Sequence, residues 1–266
     1  MSIDFKMSNS DYHNLDSLSA SGAKTIAQKG LRDFRYKKNK HLAAFDLGTA
    51  AHSLTFERSK GEAVRGPATR RGNDWINQKE ECDKAGKLLL TEADYDHALA
   101  MSDSVLNNKY AAEYINESSF VAEASVMVED PTYNVPLRAR PDGWLTDLDI
   151  IVDLKTTVDP SVEGFAKQVA NFQYHLQAAF YERVLRAEGH ELKSFVFIAV
   201  GKEYPHSVGI YTLDGDAMRE GMAAAVYSIE KYAMAREADH WPSGHEDPQV
   251  LQIPRWAFKF TSDFDR

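Results

Sequence analysis

The stretch "IIVDLKTT", residues 150–157, constrains the fold more than any other. It opens on β-branched residues that suit a buried strand. Yet it takes Asp153 and Lys155 into the fold with it. Before it, "VPLRARPDGWL" and the turn "TDLD" read with it as a hairpin. After it, "SVEGFAKQVANFQYHLQAAFYERVLRAEG" reads as one long helix ended by Gly189. "SFVFIAVGKE" and "HSVGIYTL" then read as two further strands, followed by an amphipathic helix over "DAMREGMAAAVYSIEKYAMARE". Upstream, "LSASGAKTIAQKG" reads as a serine-capped helix stopping near Gly30, and "AAFDLGTAAHSLTFE" as a second helix. The segment from Glu80 to Asn107 is polar and helix-prone, "SSFVAEASVMVE" reads as strands, and the tail from Trp241 is irregular. Helices first, then a sheet interrupted by one long helix, give an α/β fold class. The expectation is a single domain over residues 1–266, with a central mixed β-sheet flanked by helices.

Composition narrows the function classes. The 266 residues are 43% hydrophobic, enough for one substantial core. The single cysteine, Cys82, excludes an intramolecular disulfide, a multi-cysteine zinc site and a four-cysteine iron–sulfur cluster. No apolar run approaches the roughly 18 residues that would cross a bilayer. The polar start "MSIDFKMSNSDYHNLDS" has no apolar signal region. The expected compartment is therefore the cytoplasm, and no membrane partner is expected. A net charge of −9 argues against indiscriminate polyanion binding. Basic residues nevertheless cluster in Lys24–Lys40 (Lys24, Lys29, Arg32, Arg35, Lys37, Lys38, Lys40) and at Arg65, Arg70 and Arg71. Local basic patches on an acidic protein suit a solvated surface or a channel that grips nucleic acid.

The hairpin carries the chemistry. With the turn centred between Asp147 and Leu148, partner residue numbers sum to 295, so Asp142 faces Asp153 and Arg140 faces Lys155. Directly opposed Cβ atoms lie roughly 4.5–5.5 Å apart. Two ionised carboxylates that close repel, and a hard divalent cation such as Mg²⁺ or Mn²⁺ resolves the repulsion. A register slip of one residue would separate the acids.

These residues carry a resemblance. Asp142, Asp153 and Lys155, from "RPDGW" and "DLK", resemble the PD-(D/E)xK nuclease signature. "QAAFY", Gln177 to Tyr181, resembles the Q-x-x-x-Y element of the RecB-like branch, and "GTAAH", ending in His52, its G-x-x-x-H element. Motif order and the opening "LSASGAK" are most similar to the exonuclease VIII (RecE) nuclease domain and its phage relatives, and more distantly to lambda exonuclease. The matches lie between Ser19 and Tyr181. The resemblance implies a restriction-endonuclease-like core and a Mg²⁺-dependent exonuclease, with Mn²⁺ able to substitute. It would digest double-stranded DNA 5′→3′ and leave 3′ single-stranded tails for recombination. It also implies a ring-shaped homo-oligomer, trimer or tetramer, and a single-strand annealing protein as partner. Two alternatives stay open. One is a RecB-like or Cas4-like nuclease of other polarity, or an endonuclease, although Cas4 relatives usually need a cysteine-held cluster that Cys82 alone cannot supply. The other is an end-binding module without catalysis, which the presence of both acids and the lysine disfavours.

The resemblance also assigns roles. Asp142, Asp153 and the Leu154 carbonyl would ligate the metal. Lys155 would orient or activate the attacking water and stabilise charge on the phosphate. His52, four residues after Gly48, is either a satisfied core histidine or a metal ligand. Glu123 resembles an additional acid of these nucleases, though strand alternation could equally turn it to solvent. Gln173, Gln177 and Tyr181 recur every four residues as one helical stripe. Gln177 and Tyr181 would then contact the active-site strand or DNA. Ser19, Ser21 and Lys24 at a helix start are either plain caps or a 5′-phosphate pocket. Arg140 is a further candidate DNA contact.

Overall fold

A computed structural model describes residues 2–36, 43–244, 246–248 and 250–258. Its first third is helical with short strands: β1 (Ser2–Asp4), α1 (Asn9–Asn14), β2 (Leu18–Ser19), α2 (Ala20–Lys29), α3 (Leu31–Tyr36), α4 (Ala43–Phe56), β3 (Ala63–Arg65) and α5 (Asn73–Lys84). Next come β4 (Leu88–Leu90), α6 (Glu92–Leu106), α7 (Lys109–Ile115), β5 (Phe120–Ala122), β6 (Ser125–Glu129), β7 (Pro136–Ala139), β8 (Gly143–Leu145) and β9 (Ile150–Thr157). The last third holds α8 (Val162–Asn171), α9 (Tyr174–Glu188), β10 (Ser194–Gly201), β11 (Val208–Thr212) and α10 (Gly215–Ala238). Among the described residues no helix is long and apolar enough to cross a membrane.

Local chemistry sets many of these ends. The Ser19 side chain accepts from Gly22 N at 3.2 Å and starts α2, and Gly30, at φ +92°, ends it. Gly189, at φ +100°, ends α9 in the same way.

The central sheet has five strands in the order β11-β10-β9-β8-β5. β9 and β10 run parallel and the other pairs antiparallel, so the sheet is mixed as expected. Helices cover both faces. On one, Ile151, Phe195, Phe197 and Ala199 pack with Leu176, Phe180 and Val184 of α9 and Ile229 of α10. On the other, Val152, Leu154, Ile198 and Val200 pack with Ala51 of α4 and with Met101 and Val105 of α6. Burial on both faces is why β10 reads as an unbroken apolar run. A second sheet, β1-β6-β7-β2, lies beside the first, and β3 pairs with β4.

The structure corrects the sequence reading in several places. β8 and β9 do pair in the register whose numbers sum to 295, with Gly143 opposite Val152 and Leu145 opposite Ile150. However, "VPLRARPDGWL" is not one strand. It breaks at Arg140–Asp142, and β7 joins the second sheet. Lys155 is therefore not paired with Arg140. The expected long helix is two, because Gln173 takes a left-handed backbone (φ +51°) between α8 and α9. Gln173 precedes α9 instead of extending the Gln177–Tyr181 stripe along it. The helix-prone segment from Glu80 also contains β4.

Candidate active site

The site forms where β8 stops short of the end of its neighbour. β9 runs on for several residues beyond the last β8 pair, so its Leu154 N–H has no strand partner on that side. The Asp142 carboxylate takes it instead, with Oδ2 accepting from Leu154 N at 2.9 Å. The "RPD" break that splits β7 from β8 is thus what aims Asp142 at β9. His52, one turn before the end of α4, brings Nδ1 to 3.1 Å from the same Asp142 oxygen.

Asp153 is fully buried on β9. Its Oδ1 accepts from Gln177 Nε2 of α9 at 2.6 Å, and its Oδ2 is ion-paired with Lys155. Gln177 Oε1 in turn accepts from Lys24 Nζ at 3.2 Å, which draws α2 into the site. Lys24 and Lys155 both lie over the Tyr174 ring, at 5.3 and 4.9 Å from its centroid. Tyr181 donates its hydroxyl to the Arg140 carbonyl at 2.9 Å and so clamps the backbone just before Pro141. Gln177 therefore touches the strand that carries Asp153, and Tyr181 the strand break that carries Asp142.

Glu123 is not on a strand. It sits between β5 and β6 at φ +56°, its N–H donating to the Asp142 carbonyl at 3.3 Å. A non-glycine residue held there is strained, and such positions cluster at functional sites. Its carboxylate lies 3.9 Å from Arg140 Nε. Arg140 itself is buried. It donates to Ser125 Oγ, Met7 O and Ser8 O. As a DNA contact it is corrected: its donors are spent bracing the N-terminal segment, and its guanidinium rests 4.3 Å above the Tyr12 ring.

The electrostatics follow from burial and pairing. Burial raises the Asp142 carboxyl, but the His52 charge and hydrogen bond, Lys155 and the Leu154 N–H outweigh it and hold it below the ordinary range. Burial lowers the His52 imidazole, and the Asp142 charge and hydrogen bond more than restore it, so it ends above its ordinary value. Asp153 stays raised because burial and the Asp142 charge exceed the relief from Lys155. Lys155 is lowered by burial but raised further by Asp153 and Asp142, so it keeps its charge. Glu123 is pushed up to about 8, first by burial and then by the Asp142 charge. Lys24 is lowered to about 8 by burial and by the Lys155 charge.

Among the described residues no three Asp, Glu, His or Cys side chains already close around one point. The acids are held by His52, Leu154 N–H, Lys155 and Gln177. The donor set still fits a hard divalent cation. Asp142, Asp153 and Glu123 are carboxylates brought near one another, and the repulsion that raises Glu123 is what a cation would relieve. Asp142, Asp153, Glu123 and His52 are the side chains that would hold it, with the Leu154 carbonyl as the main-chain candidate.

The remaining candidates resolve as follows. Ser19 is a helix cap, and Ser21 is exposed in the first turn of α2. Lys37, Lys38 and Lys40 lie outside the described residues. Arg65 is paired with Glu92 and Asp96, and Arg70 with Asp94, so that cluster is largely neutralised. Cys82 is a buried free thiol. Two residues were missed. Tyr174 lies in the stretch read as continuous helix, and only the break at Gln173 reveals it as the start of α9. Glu57, buried and ion-paired with Lys60, adds negative charge near Glu123. Its position five residues after His52 was the available signal.

A mixed sheet with two acids and a lysine gathered where a central strand outruns its neighbour defines a restriction-endonuclease-like core of the PD-(D/E)xK class. Residues 8–252 match the family described as PDDEXK-like domain of unknown function (DUF3799), and the chain belongs to that family. Members of the PD-(D/E)xK class generally use divalent metals. A solved structure from Eubacterium rectale, provisionally named an exonuclease, has the same fold. It is 16% identical with a TM-score of 0.62, covering 94% of this chain and 96% of that one. A phage-related exonuclease from Haemophilus somnus 129PT is 10% identical with a TM-score of 0.36, covering 84% of this chain and 96% of that one. No curated protein matches the chain in sequence.

Proposed function

We propose that this chain is a Mg²⁺-dependent exodeoxyribonuclease that digests double-stranded DNA 5′→3′ and leaves 3′ single-stranded tails for recombination by annealing. One observation carries the nuclease reading: Asp142, Asp153, Glu123, His52 and Lys155 are gathered at one end of the central sheet, in a chain of the PDDEXK-like family. The polarity, the duplex preference, the ring-shaped homo-oligomer and the annealing partner rest on the sequence resemblance.

When bound, Mg²⁺, or Mn²⁺ in its place, supplies Lewis-acid polarisation of the scissile phosphate and a nearby water. The chain's own residues do the rest. Lys155, ion-paired with Asp153, would present its charge to the phosphate and orient or activate the attacking water. Gln177 fixes one oxygen of Asp153 and, through its own carbonyl, holds the Lys24 ammonium beside the site. The Tyr174 ring holds both ammoniums on one side of the site. Lys24, with Ser21 at the exposed start of α2, would meet a 5′-phosphate end.

The test is digestion of a duplex labelled separately at each 5′ and 3′ end, with and without Mg²⁺. Mg²⁺-dependent release of mononucleotides from the 5′ label first is the expected result. Release from the 3′ label first would overturn the polarity, internal cuts would point to an endonuclease, and no release would leave an end-binding module. Light scattering should give a trimer or tetramer, and a monomer mass near 30 kDa would refute the ring.

A further inference from the structure

The break between α8 and α9 leaves Phe172 in an unusual place. Its ring is 56% exposed, while its neighbours in the aromatic cluster are buried or half-buried. Its backbone N–H still closes α8 by donating to Gln168 O at 2.9 Å, and the next residue, Gln173, turns left-handed. The turn sends the chain into α9 and leaves Phe172 at the surface.

The ring is nonetheless held. It stacks on Tyr174, with centroids 5.8 Å apart and planes 24° apart. Tyr174 stacks in turn on Phe197 of β10, at 6.0 Å and 29°. Ring contacts thus run pairwise from buried Phe197 through Tyr174 to exposed Phe172, so the outermost ring is held before anything binds. Tyr174 is also the ring beneath Lys155 and Lys24. Adding the ring spacing to the Lys155 distance puts the Phe172 ring within about 11 Å of Lys155 Nζ. At about 3.4 Å per base step, and with about 3 Å more from the ammonium to a phosphate it holds, that is within about four nucleotides of the phosphate.

We propose that Phe172 is the platform on which a nucleobase close to the scissile phosphate stacks. The inference rests on the nuclease reading of the site and adds the residue that positions the strand. A base is the occupant that matches the surroundings. An exposed aromatic residue stacked on the ring that carries two ammoniums complements a strand that alternates flat bases with anionic phosphates, and such stacking tolerates any sequence. Phe172 does not touch the reacting atoms, so it is a positioning residue.

The experiment uses DNA oligonucleotides carrying 2-aminopurine at each of the first five positions from the 5′ end, bound in Ca²⁺ without Mg²⁺. Wild type and Phe172→Tyr should quench the probe at one or two adjacent positions, and Phe172→Ala should not. In Mg²⁺, Phe172→Ala should raise KM for the same duplex about 5- to 100-fold with kcat nearly unchanged. An abasic residue at the quenched position should erase the difference between wild type and Phe172→Ala. Equal quenching in both proteins, a loss confined to kcat, or no DNA binding by wild type overturns the proposal. So does a change of mass in light scattering for Phe172→Ala, which would make Phe172 a contact between copies of the chain. If wild type binds and quenches but never cleaves, the nuclease reading fails while the platform stands.

Discussion

Lys155→Ala tests both the chemistry and the packing of the site. Lys155 is the cationic partner of Asp153, a carboxylate with no exposed surface whose other oxygen accepts one hydrogen bond, from Gln177. Removing a preorganised charge-stabilising group costs about 10²–10³ in kcat, with KM for DNA changing much less. The same change unpairs a buried charge, which costs up to about 3–5 kcal/mol of stability. The sign with pH can be worked out. Asp153 already has a folded pKa above its unfolded value, and loss of Lys155 raises it further. A raised acid binds more protons folded than unfolded, so stability falls as pH rises from the unfolded value near 3.9 through the folded one. The Lys155→Ala deficit should therefore be large in urea melts at pH 8 and should shrink by pH 5. Lys155→Ala combined with Asp153→Asn should recover stability at pH 8 without recovering activity. A single variant with kcat within a few-fold of wild type would refute the assignment of Lys155. A double variant no more stable than the single at pH 8 would refute the account of the buried pair.

Hydrolysis should stop in excess EDTA, and Ca²⁺ should compete with Mg²⁺ without supporting turnover, because Ca²⁺ binds longer and looser; full activity in EDTA would contradict this. Glu123→Gln removes the acid pushed up to about 8 and should weaken Mg²⁺ binding, measured as a several-fold higher Mg²⁺ requirement. Its thermal stability should stay near wild type below the ordinary value of 4.5, where the acid is protonated folded and unfolded. It should exceed wild type increasingly as pH rises from there through about 8, above which the buried charge and its repulsion with Asp142 are relieved. Away from the site, Asp130 is buried and accepts from Arg183 Nε (2.6 Å) and Nη2 (3.0 Å) and from Thr132 and Tyr133 N–H. Burial raises its carboxyl, but these partners outweigh it and hold it below its ordinary value. Arg183→Ala should cost about 3 kcal/mol at pH 7. That loss should fade as pH falls through the unfolded and then the folded value, since the lowered acid contributes its stability only above them. Gly221→Ala should destabilise by about 1–3 kcal/mol in the same melts, because an added Cβ would lie 2.2 Å from the His175 carbonyl where α10 crosses α9.

Interactions between near neighbours in the chain were legible in the sequence. The hairpin register followed from its short turn and the two-residue alternation of strands, which is why Gly143 meets Val152 and the acids share one end of the pair. The start and stop of α2 followed from Ser19 and Gly30, whose side-chain hydroxyl and missing Cβ act within a few residues. The mixed α/β class followed from the period of the apolar residues.

Only the tertiary structure decided what depends on distant partners. Pro141, which has no N–H to give a sheet, marks the break in the strand locally, but not where β7 goes. That is set at a distance: β6 and β2 take β7 into a different sheet, and Tyr181, some forty residues on, holds the Arg140 carbonyl. Gln173 is neither glycine nor proline, so its left-handed turn carries no local signal; it fits the packing of Phe165 and Tyr174 against Phe197. Arg140 reads as a free cation until the N-terminal segment folds over it and takes its donors. The carboxylates could be named from sequence because their chemistry is fixed by residue type. Their charge states could not, because burial and a neighbour from another part of the chain, His52 for Asp142 and Asp142 for Asp153, decide them.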